Sequence, residues 1–246
     1  FTEPRGAGLD QYGHGTHVAG IVAGARAASN STPDGEAFRG VAPRAHLISL
    51  KVLDANGRGR TSDVIDAIEW AVRNGARYRI RVINLSLGHP VFESANHDLL
   101  VQAVEWAVKA GITVVVSAGN TGSTADGKTI LCSIQSPGNA PSAITVGSVN
   151  TQGTPWRSDD TLSNFSAFGP TAFDHMMKPD MVAPGSRIVS LEARGSTLAR
   201  TYPDRHVSGQ GVDAYFRLSG TSMSAAVVSG SVALMLEANP SLTPKQ

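Results

Sequence analysis

Apolar residues along the chain follow two alternating patterns, one typical of buried strands and one typical of amphipathic helices. Short apolar runs predict strands at 47–53, 80–87, 112–116 and 143–147. Apolar positions three and four residues apart predict helices at 62–74 and 99–110, with Ser62 as a cap and Gly75 and Gly111 as stops. This alternation predicts an α/β fold with three layers, a mostly parallel sheet with helices on both faces.

In such sheets the active site lies at the carboxyl ends of the strands, and one candidate segment is 218–226 (LSGTSMSAA). It leads into a small and apolar run at 225–236, which predicts a buried helix. A serine at the start of a helix lies near free N–H groups and the positive end of the helix dipole, where negative charge is stabilised. Ser222 is therefore a candidate nucleophile, although this motif alone favours a serine that only caps the helix.

The segment 13–20 (GHGTHVAG) contains a candidate base and precedes a predicted helix of small residues. His14 can accept a proton from a hydroxyl near neutral pH. A histidine buried in the core is the favoured interpretation of His17. The spacing of the two histidines also allows a metal site, but no carboxylate lies between them as in the zinc-protease motif, so we disfavour it.

The segment 117–120 (SAGN) follows the buried strand at 112–116. The side-chain amide of Asn120 can donate a hydrogen bond to the negative charge that develops on a carbonyl oxygen during acyl transfer. An asparagine in a turn is equally compatible with this pattern. Taken alone, the motif leaves both interpretations open.

Together the three motifs resemble the histidine, oxyanion and serine motifs of the subtilisin-like serine proteases (subtilases), and they occur in the same order. Further family-like stretches lie at 39–43 (RGVAP), 83–88 (INLSLG), 164–166 (NFS) and 178–185 (KPDMVAPG). The resemblance implies a serine endopeptidase that forms an acyl-enzyme intermediate. It assigns Ser222 as nucleophile, His14 as general base and acid, and Asn120 as oxyanion donor.

The resemblance also implies where a peptide substrate would bind. Two segments are expected to hold the substrate as an added strand, Gly57, Arg58 and Gly59 on one side and Ser86, Leu87 and Gly88 on the other. Ser117, Ala118 and Gly119 are expected to form one wall of the primary specificity pocket, with Gln135 near its base. No acidic cluster matches this pocket, so a preference for basic side chains is not indicated.

The aspartate that completes the family's catalytic triad has no counterpart in this sequence. Asp10 lacks the family motif and is interpreted as a loop residue beside the helix of His14. The resemblance therefore predicts one catalytic domain over 1–246 that lacks the segment with this aspartate and a C-terminal helix, which Thr243 and Pro244 would begin. We expect the chain alone to be poorly stable and nearly inactive. The alternative is an inactive subtilase-like domain that binds peptides.

Composition limits the kinds of partner and covalent cross-link that the chain can have. A formal net charge of +1 gives no basis for binding nucleic acid or a charged membrane surface, and no apolar run is long enough to predict a membrane span. The single cysteine, Cys132, excludes a disulfide within the chain. The family implies a secreted monomer that acts on proteins or peptides without a required cofactor. Structural calcium is compatible with the family, but its ligands cannot be assigned, and the stretch 27–38 differs from the family's short calcium loop.

Overall fold

The computed structural model describes residues 9–25, 38–209 and 212–246 of the chain. Within these ranges the α-helices are α1 (His14–Ala23), α2 (Thr61–Tyr78), α3 (Leu99–Lys109), α4 (Thr197–Thr201) and α5 (Thr221–Ala238). The strands are β1 (Val82–Leu85), β2 (Thr113–Ser117), β3 (Ile144–Asn150), β4 (Thr161–Leu162), β5 (Met181–Pro184), β6 (Ile188–Leu191), β7 (His206–Gly209) and β8 (Val212–Leu218).

The larger sheet is mostly parallel, as the sequence predicts. β1 pairs with β2, and β2 with β3, with Leu85 opposite Val116 and Ser117 opposite Val146. β3 also pairs in parallel with β5 and in antiparallel with the short β4. The carboxyl ends of β1 and β2 therefore lie side by side at one edge of the sheet.

Helices cover both faces of this sheet, and β2 shows how. Val114 and Val116 belong to the apolar cluster that includes α2 and α3. Val115, between them, packs with Ala225 and Val228 of α5. Because successive strand residues point to opposite faces, this unbroken apolar run is buried on both sides. The predicted three-layer α/β architecture is confirmed.

A second, antiparallel sheet has the strand order β6-β8-β7 and lies beside α1. Phe216 and Leu218 of β8 share a buried cluster with residues of α1 and with Met223 of α5. The sheet therefore supports both helices that carry candidate catalytic residues.

α5 is long and apolar enough, by length and composition alone, to cross a membrane, although no membrane span is predicted from the apolar runs of the sequence. In the structure its first ten residues are mostly buried, and it packs against α1, β1, β2, β3 and β5. These contacts are typical of the core helix of a globular domain.

The predicted strand at 47–53 is not formed. It pairs with no other strand in the described ranges, and Leu47 and Ile48 are exposed whereas Val52 is buried. The apolar pattern correctly indicated that Val52 packs against the core. A strand, however, also requires a neighbouring strand with which its backbone can form hydrogen bonds. The predicted strand at 80–87 is regular only over β1.

The ends of α2 also differ from the prediction. Arg60 is at the N-cap position without a side-chain cap, so Ser62 does not cap the helix. α2 continues through Gly75 and ends where Arg79 adopts a φ of 53°. Gly75 costs a helix only about 1 kcal/mol, which the buried face of α2 offsets. By contrast, α3 is capped by Asp98 and ends before Gly111, whose φ of +87° stops it as predicted.

Candidate active site

Ser222 is the second residue of α5 and lies against the end of β1. Gly220 is at the N-cap position of α5 and no side chain caps the helix, so Ser222 is not a capping serine. Its hydroxyl donates to the carbonyl oxygen of Ser86 at 3.4 Å, and the hydroxyl of Ser86 donates to the carbonyl of Ser222 at 2.8 Å. The hydroxyl of Ser222 is thus held in the first turn of a helix, where the helix dipole stabilises negative charge.

Asn120 is attached to the same helix start through its side-chain oxygen. Oδ1 accepts hydrogen bonds from the backbone N–H of Thr221 at 2.9 Å and from the Thr221 hydroxyl at 3.0 Å. The Thr221 hydroxyl also accepts from the N–H of Gly119 at 3.1 Å. Because Oδ1 is occupied in this way, the amide Nδ2 is left to donate elsewhere. Nδ2 lies 3.4 Å from where a Cβ on Gly220 would be.

Gly119 makes the bend that brings Asn120 to this position. Its φ of +113° is a conformation that side chains with a Cβ rarely adopt. The preceding Ala118 is fully buried and still bonds to Val146 of β3 at 2.9 Å, so the chain leaves the sheet only at Gly119. Asn120, one residue later, is exposed.

His14 is the first residue of α1, and Asp10 fixes the start of that helix. The two carboxylate oxygens of Asp10 accept from the backbone N–H groups of Gly13 at 2.8 Å and Thr16 at 2.7 Å. Asp10 is therefore a structural loop residue beside the helix, as the sequence indicates. The ring of Tyr12 lies 6.5 Å from the imidazole of His14, measured between ring centroids.

The electrostatic surroundings keep the His14 imidazole neutral near pH 7. Burial lowers the pKa of His14 below its ordinary value of 6.5, and the Asp10 carboxylate opposes this shift more weakly. A neutral imidazole has a nitrogen lone pair, which a general base requires. His14 is therefore in the protonation state that can remove a proton from a hydroxyl.

His17 is a core histidine. It is fully buried, and its Nε2 lies 2.9 Å from the carbonyl oxygen of Phe216 and 3.2 Å from that of Ile188. Burial lowers its pKa from 6.5 to about 4, although the two carbonyl contacts favour the charged form. His17 therefore fastens α1 to the antiparallel sheet and does not face a cleft.

The packing of α1 on α5 brings His14 and Ser222 to the same edge of the molecule. The two helices share a buried cluster near their starts, in which Val18 and Met223 take part. Further along, Gly230 of α5 lies close to the backbone of α1. A Cβ added to this glycine would be 3.4 Å from the carbonyl oxygen of Val22. The helices therefore run in the same direction, with both first turns at one edge. No hydrogen bond joins His14 to Ser222 in the structure.

The two predicted substrate segments have different backbone environments. Leu87 and Gly88 have no backbone hydrogen-bond partner among the described residues, so their groups are available to an added strand. In the other predicted segment, the backbone N–H and C=O of Arg58 are both taken by Asp54. Of the predicted segment, the exposed Gly59 therefore has the more accessible backbone.

Two residues of the site have roles that the sequence did not predict. Thr221 lies inside the serine motif, but its role depends on bonds to residues about one hundred positions earlier. Ser86 was assigned only to substrate binding, whereas its hydroxyl connects Asn84 to the backbone of Ser222. Side-chain partners so distant in sequence leave no local signal.

No group of three histidine, cysteine, aspartate or glutamate side chains is close enough to hold an ion in the ranges 9–25, 38–209 and 212–246. Calcium ligands could not be assigned from sequence on the stretch 27–38, and residues 27–37 of it lie outside the described residues.

A serine hydroxyl, a neutral histidine and an amide donor at one edge of an α/β sheet are typical of serine hydrolases. A family model described as the Subtilase family matches residues 2–246, and the chain belongs to that family. The chain is 39% identical to serine protease AprX of Bacillus subtilis (strain 168) over all of its own length and 52% of AprX. It is 35% identical to subtilisin DY of Bacillus licheniformis, over all of its own length and 71% of that protein.

Solved structures agree with this assignment. A cold adapted subtilisin-like serine proteinase matches with a TM-score of 0.68 and 32% identity, over 97% of this chain and 66% of that one. Sphericase matches with a TM-score of 0.72 and 29% identity, over 97% of this chain and 67% of that one. The chain thus spans between about half and 71% of the length of these proteins.

Proposed function

We propose that this chain provides the catalytic site of a serine endopeptidase that hydrolyses peptide bonds through an acyl-enzyme on Ser222. The observation that carries the proposal is the arrangement of Asn120, Thr221 and Ser222. The amide Nδ2 of Asn120 and the backbone N–H of Ser222 are adjacent donors at a helix start, beside a hydroxyl that is not used as a cap. Such donors stabilise the oxyanion of a tetrahedral intermediate.

The proposed reaction has two halves. His14 takes the proton of the Ser222 hydroxyl while Oγ bonds to the peptide carbonyl carbon, and the same proton then passes to the leaving amine as the C–N bond breaks. Water attacks the acyl-enzyme in the second half, with His14 accepting its proton and returning it to Oγ. Asp10 does not provide the carboxylate that orients the imidazole in this mechanism, because both of its oxygens accept hydrogen bonds at the start of α1.

The substrate would bind as an extended strand. The free backbone groups of Leu87 and Gly88 on one side and of Gly59 on the other support this mode, in which main-chain hydrogen bonds provide affinity. Membership of the subtilase family supports protein or peptide substrates and action outside the cell. We extend the proposal to a single, monomeric catalytic domain that needs no cofactor for the chemical step.

A fluorophosphonate probe tests the proposal on the full-length protein. We expect labelling of Ser222, located by peptide mass spectrometry, and loss of labelling in Ser222→Ala and His14→Ala. Ser219→Ala is the matched control, since this exposed serine lies three residues earlier and its hydroxyl accepts from the backbone N–H of Arg187. A folded parent protein that is not labelled would refute the endopeptidase proposal and favour a domain that binds peptides without cleaving them.

A further inference from the structure

The short helix α4 holds the chain that leads into His14. In its first turn, the backbone N–H of Thr197 donates to the carbonyl oxygen of Gln11 at 2.8 Å. The N–H of Leu198 donates to the carbonyl oxygen of Tyr12 at 3.0 Å. Because Tyr12 lies two residues before His14, the position of α4 sets the path along which the chain enters α1.

The start of α1 also packs directly on the start of α4. A Cβ added to Gly13 would be 2.9 Å from Cβ of Ser196, the N-cap residue of α4, so there is no room for a side chain between the two. Ser196 is only 3% exposed, and its hydroxyl accepts from the N–H of Ala199 at 3.3 Å. A displacement of α4 would therefore move the first turn of α1, and with it the imidazole of His14.

His206 fastens α4 to the antiparallel sheet. This residue begins β7, and its Nε2 lies 3.1 Å from the carbonyl oxygen of Ala199 in α4. Its Nδ1 lies 2.6 Å from Oε2 of Glu192, which directly follows β6. A carbonyl oxygen can only accept a hydrogen bond, so Nε2 is the donor to Ala199. The imidazole thus links the backbone of α4 to two strands of the sheet.

Glu192 fixes this imidazole in the orientation that the bond to α4 needs. The side chain of Glu192 is 3% exposed and that of His206 22%, so the pair is shielded from water. The carboxylate accepts from Nδ1, and such charge-assisted hydrogen bonds are shorter and stronger than neutral ones. The ring of Phe216 meets the imidazole edge to face, with 5.3 Å between the ring centroids. The position of the imidazole is therefore fixed by both hydrogen bonds and packing.

We infer that His206 is a positioning residue for His14 and that it acts through Ala199 and α4. The inference rests on the proposed endopeptidase function, in which the imidazole of His14 must meet the hydroxyl of Ser222. No hydrogen bond joins these two side chains in the structure, so the backbone that carries His14 sets their approach. Displacement of a reacting group by about 1 Å can lower a rate by on the order of 100-fold.

Two conservative substitutions of His206 separate its two bonds in the full-length protein. Glutamine can place its amide nitrogen near the position of Nε2 and keep the bond to Ala199, whereas asparagine can place it near Nδ1 and keep the bond to Glu192. We expect His206→Asn to lower kcat by about 10-fold, because displacing a reacting group by a fraction of an ångström is sufficient for a loss of this order. His206→Gln should keep a kcat close to that of the wild type. It should nevertheless unfold at a lower urea concentration than His206→Asn, because the buried carboxylate of Glu192 loses the donor that His206 supplies.

kcat is measured per active site, with the fluorophosphonate probe counting the sites that can be labelled. A merely structural role of His206 would make the less stable glutamine variant the slower one, so opposite orders of rate and stability are specific to positioning. If His206→Gln does not fold, the two variants are compared in a Glu192→Gln background, where no buried carboxylate is left and the same order of kcat is expected. His46→Asn, at an exposed histidine, is the matched control.

The inference is overturned if His206→Asn keeps the wild-type kcat per labelled site, or if His206→Gln is as slow as the asparagine variant. Either result in a protein whose wild type is labelled and cleaves peptides refutes only the role of His206. A folded wild type without labelling or cleavage refutes the endopeptidase function and this inference together.

Discussion

Asn120 and Thr221 are joined by two hydrogen bonds to a single oxygen, since Oδ1 of Asn120 accepts from both the backbone N–H and the hydroxyl of Thr221. This fixes the amide so that Nδ2 is left as a donor beside Ser222. We expect Asn120→Ala to lower kcat by about 100- to 1000-fold with little change in KM, the range seen when subtilisin loses one such donor. Steady-state kinetics on one peptide would measure this fall in kcat. An equally large rise in KM would argue against an oxyanion role.

The Thr221 hydroxyl provides a separate test of the same relationship. Thr221→Val keeps the shape of the side chain but removes the hydroxyl that bonds to Asn120 and Gly119. We expect a fall in kcat of roughly 10- to 100-fold, because two hydrogen bonds are lost and each is worth about 1 kcal/mol. Thr221→Ser should restore most of the rate, whereas failure of this rescue would show that the methyl group matters more than the hydroxyl.

The pH dependence of labelling should report His14. Because burial lowers the pKa of His14, the rate of fluorophosphonate labelling should fall in acid with a midpoint below pH 6.5. The Asp10 carboxylate opposes this shift, so Asp10→Asn should move the midpoint to still lower pH while its remaining oxygen keeps one bond to α1. Asp66→Asn, on the exposed side of α2, is the control. A midpoint that rises in Asp10→Asn would contradict this account.

His17 should make the protein less stable in acid. Its pKa of about 4 in the folded state lies below the unfolded value of 6.5, so the unfolded state binds the additional proton between these values. The free energy of unfolding should therefore be greatest above pH 6.5 and should fall by on the order of 3 kcal/mol as the pH decreases to 4.

Urea unfolding at several pH values checks this in a Ser222→Ala background, which prevents self-digestion. His17→Gln should flatten the pH dependence even if it lowers stability at pH 7. His46→Gln, at an exposed histidine, should leave the slope unchanged. An equally steep slope without His17 would assign the acid sensitivity to other groups.

Lys178 and Asp180 form an asymmetric ion pair. The lysine side chain is only 4% exposed and that of the aspartate 40%, with 2.6 Å between Nζ and Oδ2. Lys178 also donates to the carbonyl oxygen of Ala143 at 2.8 Å. Asp180→Asn leaves a buried ammonium without its counter-charge and should cost about 3 kcal/mol of unfolding free energy.

Substitution of the lysine should cost less unfolding free energy than substitution of the aspartate. Lys178→Met leaves a carboxylate that reaches water and still accepts from the N–H of Thr145. Asp126→Asn, in the exposed pair with Lys128, should change stability little and is the control. If Lys178→Met proved the more harmful of the two, packing of the lysine stem would outweigh its charge.

The candidate site was predictable because its motifs are local. His14, Asn120 and Ser222 each lie in a short glycine-rich segment that follows or begins a regular element. Periodicity predicted α3, and continuous apolar runs predicted β2 and α5. The strand prediction at 47–53 was wrong because an apolar pattern indicates burial and not backbone pairing. The predicted end of α2 was wrong because burial of one helical face outweighs the low helix propensity of Gly75. Gln135, which the family resemblance placed near the base of the specificity pocket, lies against both Gly88 and Gly119.

The attachment of α1 to the antiparallel sheet through His17 gives residues outside the cleft an influence on turnover. The carbonyls of Ile188 and Phe216 hold the second turn of the helix whose first residue is His14. A small displacement of β6 or β8 would therefore tilt the imidazole without altering any group that meets the substrate. Laboratory selection for altered rate or temperature optimum should recover substitutions in these strands as well as in the cleft.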